Sequence, residues 1–158
     1  MKHTISVTCL LTLIGLTLAP ATGFAHCQVP YGIYDDAARL EQMAEDATTI
    51  EKAIGQIKEL AGNIDAQSAN QMVRWVTTKE THASNIITIV TEYFLTQKVK
   101  PVAPGADGYE VYLQKLADHH AVMAAAMKCK QNADLQYVRA LREALAGLGA
   151  HYENVHQH

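Results

Sequence analysis

Several features that would assign a function at once are missing from this sequence. It has no block of basic residues and a net charge of −3, so we expect no nucleic-acid partner. Beyond residue 25, no apolar run approaches the ~18 residues needed to span a membrane, so we expect no membrane segment. The apolar–polar alternation typical of strands is absent, as are internal repeats. These absences favour a soluble all-α protein.

Residues 1–25 have the composition of a secretory signal peptide. A basic residue, Lys2, precedes an apolar run over 5–18, and Pro20 and small residues lead to Ala25. The apolar run is too short to span a bilayer comfortably. We therefore expect cleavage after Ala25, an exported protein in the periplasm or extracellular space, and His26 as its first residue.

Cysteine is scarce, since only two of the three cysteines remain once the leader is removed. In an oxidising compartment, a disulfide between Cys27 and Cys129 is one interpretation. The other interpretation is that Cys27 and Cys129 are not bonded to each other. Cys27 then stands beside the new N-terminus as a potential metal ligand, and Cys129 is a small buried residue near a helix end.

Four amphipathic helices are predicted in the remainder of the chain. Acidic caps, apolar residues at three-four spacing and breakers such as Pro101 and Gly105 mark their ends. They span about 36–60, 66–98, 108–130 and a last stretch after Asp134. Short links predict an antiparallel four-helix bundle over 35–155. A hook over 26–34 precedes it, and a polar tail, 156–158, follows.

The greatest density of potential metal donors lies in the His26–Cys27 dipeptide. If His26 is the first residue, a free α-amine, an imidazole, a thiolate and a peptide nitrogen meet at one point. Such a set suits a redox-active transition metal. Pro30 and Gly32 permit the chain that follows to curl around an ion. The sequence therefore predicts one metal ion per subunit, held in the hook.

The pattern His-Cys-x-x-Pro-x-Gly-x-Tyr, from His26 to Tyr34, resembles the hook of nickel-type superoxide dismutases. The segments 75–80, 92–95 and 116–127 extend this resemblance along the chain. It implies a helical bundle that assembles as a homo-oligomer, a hexamer. It also implies that superoxide, bound beside the metal, is converted to oxygen and hydrogen peroxide.

The same resemblance implies a ligand set for nickel. The amine and imidazole of His26 and the amide and thiolate of Cys27 would bind the ion, and Tyr34 would lie beside its open face. Tyr31 stands where the family has a second hook cysteine. Tyr31 and Tyr34 are then candidates to hold superoxide and an ordered water. Without the second thiolate, the donor set favours copper, whereas the resemblance favours nickel.

A copper site of this kind needs a further imidazole, and His82 is our candidate third ligand. The alternative for His82 is a histidine inside the bundle bonded to a carboxylate. Glu41 and Arg39, early in the first helix, are expected either to orient His26 or to form an exposed charged face. Glu80 falls on the predicted inward seam and therefore needs a partner, for which Lys79, Arg74, His82 and the hook are candidates.

The other histidines are assigned by position. Adjacent helical residues point about 100° apart, so His119 and His120 do not share one ion. The predicted seam places His120 inside and His119 outside. Three more histidines lie at the polar C-terminus, where they either bind metal loosely or are solvated: His151, His156 and His158.

Two other functions compete with dismutation. An exported copper-binding or copper-delivery protein would keep the hook but lose catalysis with the missing cysteine. A purely structural bundle would join Cys27 to Cys129 and so remove the thiolate from the hook.

Overall fold

The computed structural model describes residues 35–63 and 65–152. The described part consists of helices α1 (Asp36–Leu60), α2 (Ala66–Thr88), α3 (Tyr109–Gln131) and α4 (Leu135–Gly149). A π-helix, Ile89–Lys98, continues α2 directly and is called the π segment. These residues contain no strand, which confirms the all-α prediction. The predicted leader, hook and tail lie outside the described residues.

The helices begin where the sequence supplies a cap. The carboxylates of Asp35, Asp65 and Asp134 each accept a hydrogen bond from a backbone N–H in the first turn, at 2.9, 2.9 and 3.0 Å. These bonds satisfy donors that have no partner within the helix. Helix α3 instead follows Gly108, whose φ of +81° is a conformation that glycine adopts without strain. The predicted starting points are therefore confirmed.

The pairing of α1 with α2 is antiparallel. Asp36 of α1 contacts Tyr93 in the middle of the π segment, and Asp46 contacts His82 farther back along α2. Each helix packs against two others: α1 and α3 both contact α2 and α4. The described residues thus form a four-helix bundle in which chain neighbours are also neighbours in space. None of the described helices is long and apolar enough to cross a membrane.

The core lies along the inner faces of all four helices, and the predicted three-four spacing of inward residues matches the buried residues of α1 and α4. Its largest fully buried apolar side chains, 2 % exposed or less, include Met43, Ile50, Ile54, Ile86, Val90, Phe94, Leu141 and Leu148.

The predicted seam of α3 is wrong by one position. His119 is fully buried, together with Val122, Ala126 and Cys129, whereas His120 is exposed. Apolar residues occur on every side of α3, so their spacing does not single out one face. The buried face carries the smaller side chains, which let neighbouring helices approach closely. In the second predicted helix the same error occurs at Glu80, which is half-exposed while Lys79 is buried; the predicted seam residues Ala83, Val90 and Phe94 are buried.

The predicted second helix, 66–98, changes its winding at residue 89. The amide of Val99 donates to the carbonyl of Phe94, five residues back, at 3.0 Å. The side chains of Thr96 and Gln97 also bond to carbonyls five residues back. A run of β-branched residues over 87–91 disfavours the tighter α turn. Within this segment the adjacent residues Tyr93 and Phe94 are both buried.

Candidate functional site

The four predicted site residues of the hook lie outside the described residues: His26, Cys27, Tyr31 and Tyr34. The described bundle begins with Asp35, the cap of α1. What the structure defines is therefore the bundle's own contribution. It contains one predicted ligand, His82, and three predicted supporting residues.

His82 lies on α2, facing α1, with 35 % of its side chain exposed. Its Nδ1 is 2.6 Å from Oδ1 of Asp46, whose side chain is 7 % exposed. The other oxygen of Asp46 accepts a bond of 2.7 Å from the amide of Asn85, one turn along α2. Because a carboxylate only accepts, Nδ1 carries a proton, and in the neutral form of the ring Nε2 keeps its lone pair. His82 can therefore bind a metal through Nε2.

Arg39 and Glu41 are both exposed, which agrees with the alternative of an exposed charged face, while His26, the residue that they would orient, lies outside the described residues. Glu41 is exposed and lines a groove between α1 and α4 with Arg142 and Leu145. The guanidinium of Arg39 lies 5.7 Å from the ring centre of Tyr93.

Glu80 points toward α3. Its carboxylate accepts a 3.0 Å bond from Lys79 and lies 3.9 Å from Nζ of Lys130. The predicted pairing of Glu80 with Lys79 is thus present. Glu80 itself is half-exposed, so the burial that made a partner necessary falls on Lys79 instead.

A buried polar cluster lies at the end of the bundle where α1 begins. The hydroxyl of Tyr93 donates a 2.6 Å bond to Asp36, and Nζ of Lys98 lies 3.1 Å from the other oxygen of that carboxylate. Burial, and then the hydrogen bond to Asp36, raise the pKa of Tyr93 well above its usual value. Tyr93 therefore stays protonated and holds the start of α1 against the π segment.

A second pair of bonds secures the chain just after α4. The ring of His119 donates through Nδ1 to the carbonyl of Lys115 at 2.6 Å, so Nε2 accepts from the hydroxyl of Tyr152 at 2.8 Å. Next to it, His151 lies 2.6 Å from Asp118. Burial lowers the pKa of His119, which therefore remains neutral at physiological pH. His119 has both ring nitrogens occupied and is a structural residue.

Cys129 is fully buried near the end of α3. Among the described residues it is a free thiol, and burial raises its pKa to about 11. A thiol in this state is protonated and unreactive at neutral pH. The prediction of a small buried cysteine is confirmed, while its pairing with Cys27 lies outside the described residues.

The described bundle has no group of three or more His, Cys, Asp or Glu side chains placed to hold a metal. It offers His82 as a single imidazole with a free nitrogen. The hook sequence adds an imidazole, a thiolate and a peptide nitrogen, and it adds an α-amine as well if His26 is the first residue. Nitrogen and sulfur donors of this kind fit nickel or copper. The residues present are thus compatible with a transition metal at the hook.

Sequence reasoning missed Asp46, although a signal for it existed. Residue 63 is the middle of the loop over 61–65 that joins α1 and α2; Asp46 lies 17 residues before it and His82 lies 19 residues after it. Residues at similar distances from the loop of an antiparallel hairpin face one another. Asp36 and Tyr93, at 27 and 30 residues from the same point, follow this rule approximately. Pairing along the hairpin would therefore have directed attention to the residues near 44–46, of which Glu45 and Asp46 are acidic.

Comparison with known proteins gives one match. The family model described as nickel-containing superoxide dismutase matches residues 21–155, which include both the hook and the bundle. Searches of curated proteins and of solved structures returned no significant match. The family match covers most of the chain and agrees with the helical bundle. This protein therefore belongs to the nickel-containing superoxide dismutase family.

Proposed function

We propose that the chain is an exported superoxide dismutase with one transition-metal ion per subunit in the hook, residues 26–34. The observation that carries this proposal is the family match over 21–155, which begins ahead of the His-Cys motif and continues through all four helices.

The proposed ligands are the amine and imidazole of His26, the amide and thiolate of Cys27, and Nε2 of His82. When bound, the metal supplies the one-electron exchange by which superoxide becomes oxygen and hydrogen peroxide. Tyr34 and Tyr31 hold the superoxide anion and an ordered water through their hydroxyls. A protonated phenol donates a hydrogen bond to an anion and relays a proton to the peroxide product.

Nickel is the metal that the family favours. Tyr31 in the second cysteine's position leaves one thiolate in the hook, and this donor set also suits copper. Elemental analysis of natively exported protein, combined with a dismutation assay, tests the function and the metal together. We expect one metal ion per chain and activity well above that of the free ion. Metal-loaded protein with no such activity would refute the proposal.

Export and assembly are part of the same proposal. Residues 1–25 direct the chain to the periplasm or extracellular space and are then removed. The mature chains assemble as a homo-oligomer, a hexamer. Among the described residues, exposed apolar side chains on α2 and α3 support association: Val73, Val76, Val111, Leu113 and Met127. Light scattering of the metal-loaded protein tests the assembly, and a stable monomer would contradict it.

The alternative is an exported copper-binding or copper-delivery protein. Tyr31 favours this alternative, because the loss of a thiolate should raise the reduction potential of the Ni(III)/Ni(II) couple. Superoxide could then no longer both reduce and oxidise the metal. A delivery protein passes its ion readily to a competing chelator. An enzyme retains the ion through many turnovers, so metal exchange during the assay separates the two.

A further inference from the structure

Two buried tyrosines of the bundle each donate their hydroxyl proton to a base. Tyr93 of the π segment bonds to a carboxylate oxygen of Asp36 at 2.6 Å, and Tyr152 bonds to Nε2 of His119 at 2.8 Å. Both tyrosines are 6 % exposed. Burial raises the pKa of each phenol well above its usual value, so both are protonated at neutral pH. Each phenol therefore has a proton and, beside it, an acceptor for that proton.

The ring of Phe94 connects the two phenols. Its centre lies 5.0 Å from that of Tyr93, edge to face, and 4.6 Å from that of Tyr152. Ring centres at these distances belong to aromatic side chains in direct contact. The three rings thus form a continuous aromatic path from the π segment to the residues that follow α4. An electron can pass along this path without crossing solvent.

The oxidation of a phenol depends on where its proton goes. Loss of one electron turns the phenol into a strongly acidic radical cation, so oxidation is easiest when a base takes the proton as the electron leaves. The guanidinium of Arg39 lies 5.7 Å from the ring centre of Tyr93, and Nζ of Lys98 lies 3.1 Å from Asp36. These two cations disfavour a positively charged ring. Electron loss from Tyr93 is therefore coupled to proton transfer to Asp36.

We propose that Tyr93, Phe94 and Tyr152 form a redox chain that carries an oxidising equivalent through the bundle. A one-electron oxidant of the hydroxyl- or carbonate-radical class takes an electron from Tyr93, whose O–H bond breaks as Asp36 binds the proton. Tyr152 then gives an electron to the Tyr93 radical, and Asp36 returns the proton to Tyr93. The proton of Tyr152 moves to Nε2 of His119. A diffusible one-electron reductant such as ascorbate restores Tyr152, and His119 returns its proton.

This activity is separate from dismutation and uses no residue of the hook. The dismutation proposed above yields hydrogen peroxide, from which redox-active metal ions generate radicals of this class. Methionine and cysteine are damaged by such oxidants, and the higher oxidation states of cysteine are irreversible. A tyrosyl radical is reversible once an electron is supplied. The chain would thus spare buried residues such as Met43 and Cys129.

Three other tyrosines of the described chain serve as internal controls. Tyr109 and Tyr112 are half-buried, with ring centres 6.3 Å apart, and Tyr137 is half-buried on α4. Within the described ranges, none of these three hydroxyls bonds to a base. They resemble Tyr93 and Tyr152 in chemistry but have no proton acceptor in place.

The first test oxidises the metal-free protein with a photogenerated Ru(III) tris-bipyridine oxidant. Freeze-quench EPR and transient absorption distinguish tyrosyl radicals from a radical on Trp75. We expect tyrosyl radicals at Tyr93 and Tyr152. Asp36→Asn should lose most of the Tyr93 signal, because its side-chain oxygen still accepts the hydrogen bond but does not take up the proton. A purely structural bond would not produce this loss.

The second test measures rates. The Tyr93 radical should form more slowly in D₂O, because its proton moves with the electron. Tyr152→Phe removes the electron donor and Phe94→Leu removes the ring between the two phenols. Each should lengthen the lifetime of the Tyr93 radical several-fold. Tyr112→Phe and Tyr137→Phe should leave signals and lifetimes unchanged.

Two results would overturn the proposal. One is a wild-type radical confined to Trp75 or to other tyrosines, with no change in Tyr93→Phe. The other is a Tyr93 radical whose lifetime is the same in Tyr152→Phe as in the wild type, because Tyr152 then supplies no electron. Circular dichroism shows whether each variant keeps its helices, and Tyr152→Phe gives a result if Phe94→Leu does not fold. No metal is present in these measurements, so they are independent of the proposed dismutation.

Discussion

The hydroxyl of Tyr152 donates a 2.8 Å hydrogen bond to Nε2 of His119, and both side chains are buried. The bond joins the residues that follow α4 to the interior of α3. The ring of Phe94, from the π segment, lies 4.6 Å from the Tyr152 ring and 5.8 Å from the His119 ring. The end of the described chain is therefore fixed to two other elements of the bundle.

Tyr152→Phe should destabilise the bundle by about 1–3 kcal/mol, because it leaves a buried imidazole nitrogen without a donor. Urea unfolding of the metal-free protein measures this change. The matched control is Tyr137→Phe on α4, a half-buried tyrosine whose hydroxyl bonds to no group among the described residues. The control should lie within about 0.5 kcal/mol of the wild type. Equal stability of both variants would mean that the Tyr152 bond contributes nothing.

Stability should fall with pH below about 6.5, the usual pKa of histidine. Burial lowers the pKa of His119 in the folded state, so the unfolded chain binds a proton that the folded chain does not. Stability is complete above pH 6.5 and is lost as the pH falls toward the folded pKa, at up to about 1.4 kcal/mol per pH unit. Urea midpoints from pH 8 to pH 5 give the slope.

The control for this dependence is the neighbouring histidine. His119→Gln should flatten the slope, whereas His120→Gln should keep it, because His120 is exposed. A His119→Gln protein with the wild-type slope would assign the acid sensitivity to other groups. Asp118 adds a later effect, since its bond from His151 holds the pKa of Asp118 below the usual value. That contribution is lost below about pH 3.8.

The sequence predicted the helices closely because their ends depend on local chemistry. Asp35, Asp65 and Asp134 cap helices through bonds to residues two or three positions away. The buried face of α3 is a different kind of property. It depends on how closely α2, the π segment and α4 approach α3, where the buried residues include the small Ala126 and Cys129.

The candidate site also contains one residue that the sequence could predict and one that depends on a contact between helices. His82 was selected for its residue type and its place in the resemblance, both of which are present in the sequence. Asp46 was missed because its role depends on a contact with His82, which lies 36 residues farther along the chain on another helix. The change to π winding at residue 89 was also missed, since the three-four spacing of apolar residues continues across it.

Lys79→Met should cost about 2–3 kcal/mol, although it places an apolar side chain in a buried position. The ammonium of Lys79 donates to the carbonyls of Cys129, at 2.7 Å, and Lys130. These carbonyls belong to the last turn of α3, where the helix itself provides no donors. Lys128→Met, an exposed lysine of the same turn, is the control. Thermal unfolding compares the two, and equal midpoints would contradict this capping role.

One residue added before His26 should abolish tight metal binding without altering the helices. It converts the α-amine into an amide nitrogen, which removes one proposed ligand. The free amine has a pKa of about 7.7–8.0, so the wild type should also release a proton on loading and bind more weakly as the pH falls. Circular dichroism and metal titration compare the two forms. Full dismutation by the extended protein would show that the hook is not the site.

Tyr31→Cys should increase the preference of the protein for nickel over copper. It supplies a second thiolate at the position where the family resemblance places one, and soft ligands of this kind lower the potential of the nickel couple. Tyr31→Phe is the control, because it removes the hydroxyl without adding sulfur. Competition between Ni²⁺ and Cu²⁺, with dismutation measured for each form, provides the comparison. An unchanged metal preference in Tyr31→Cys would mean that residue 31 is not near the ion.

The π segment has a consequence for how one stretch of chain serves three helices. Successive residues of a helix point in different directions, so two buried neighbours face different parts of the interior. The hydroxyl of Tyr93 reaches Asp36 on α1, whereas the ring of Phe94 lies beside His119 on α3. Two adjacent residues of one short segment thus connect α1 with α3 and couple the positions of these two helices.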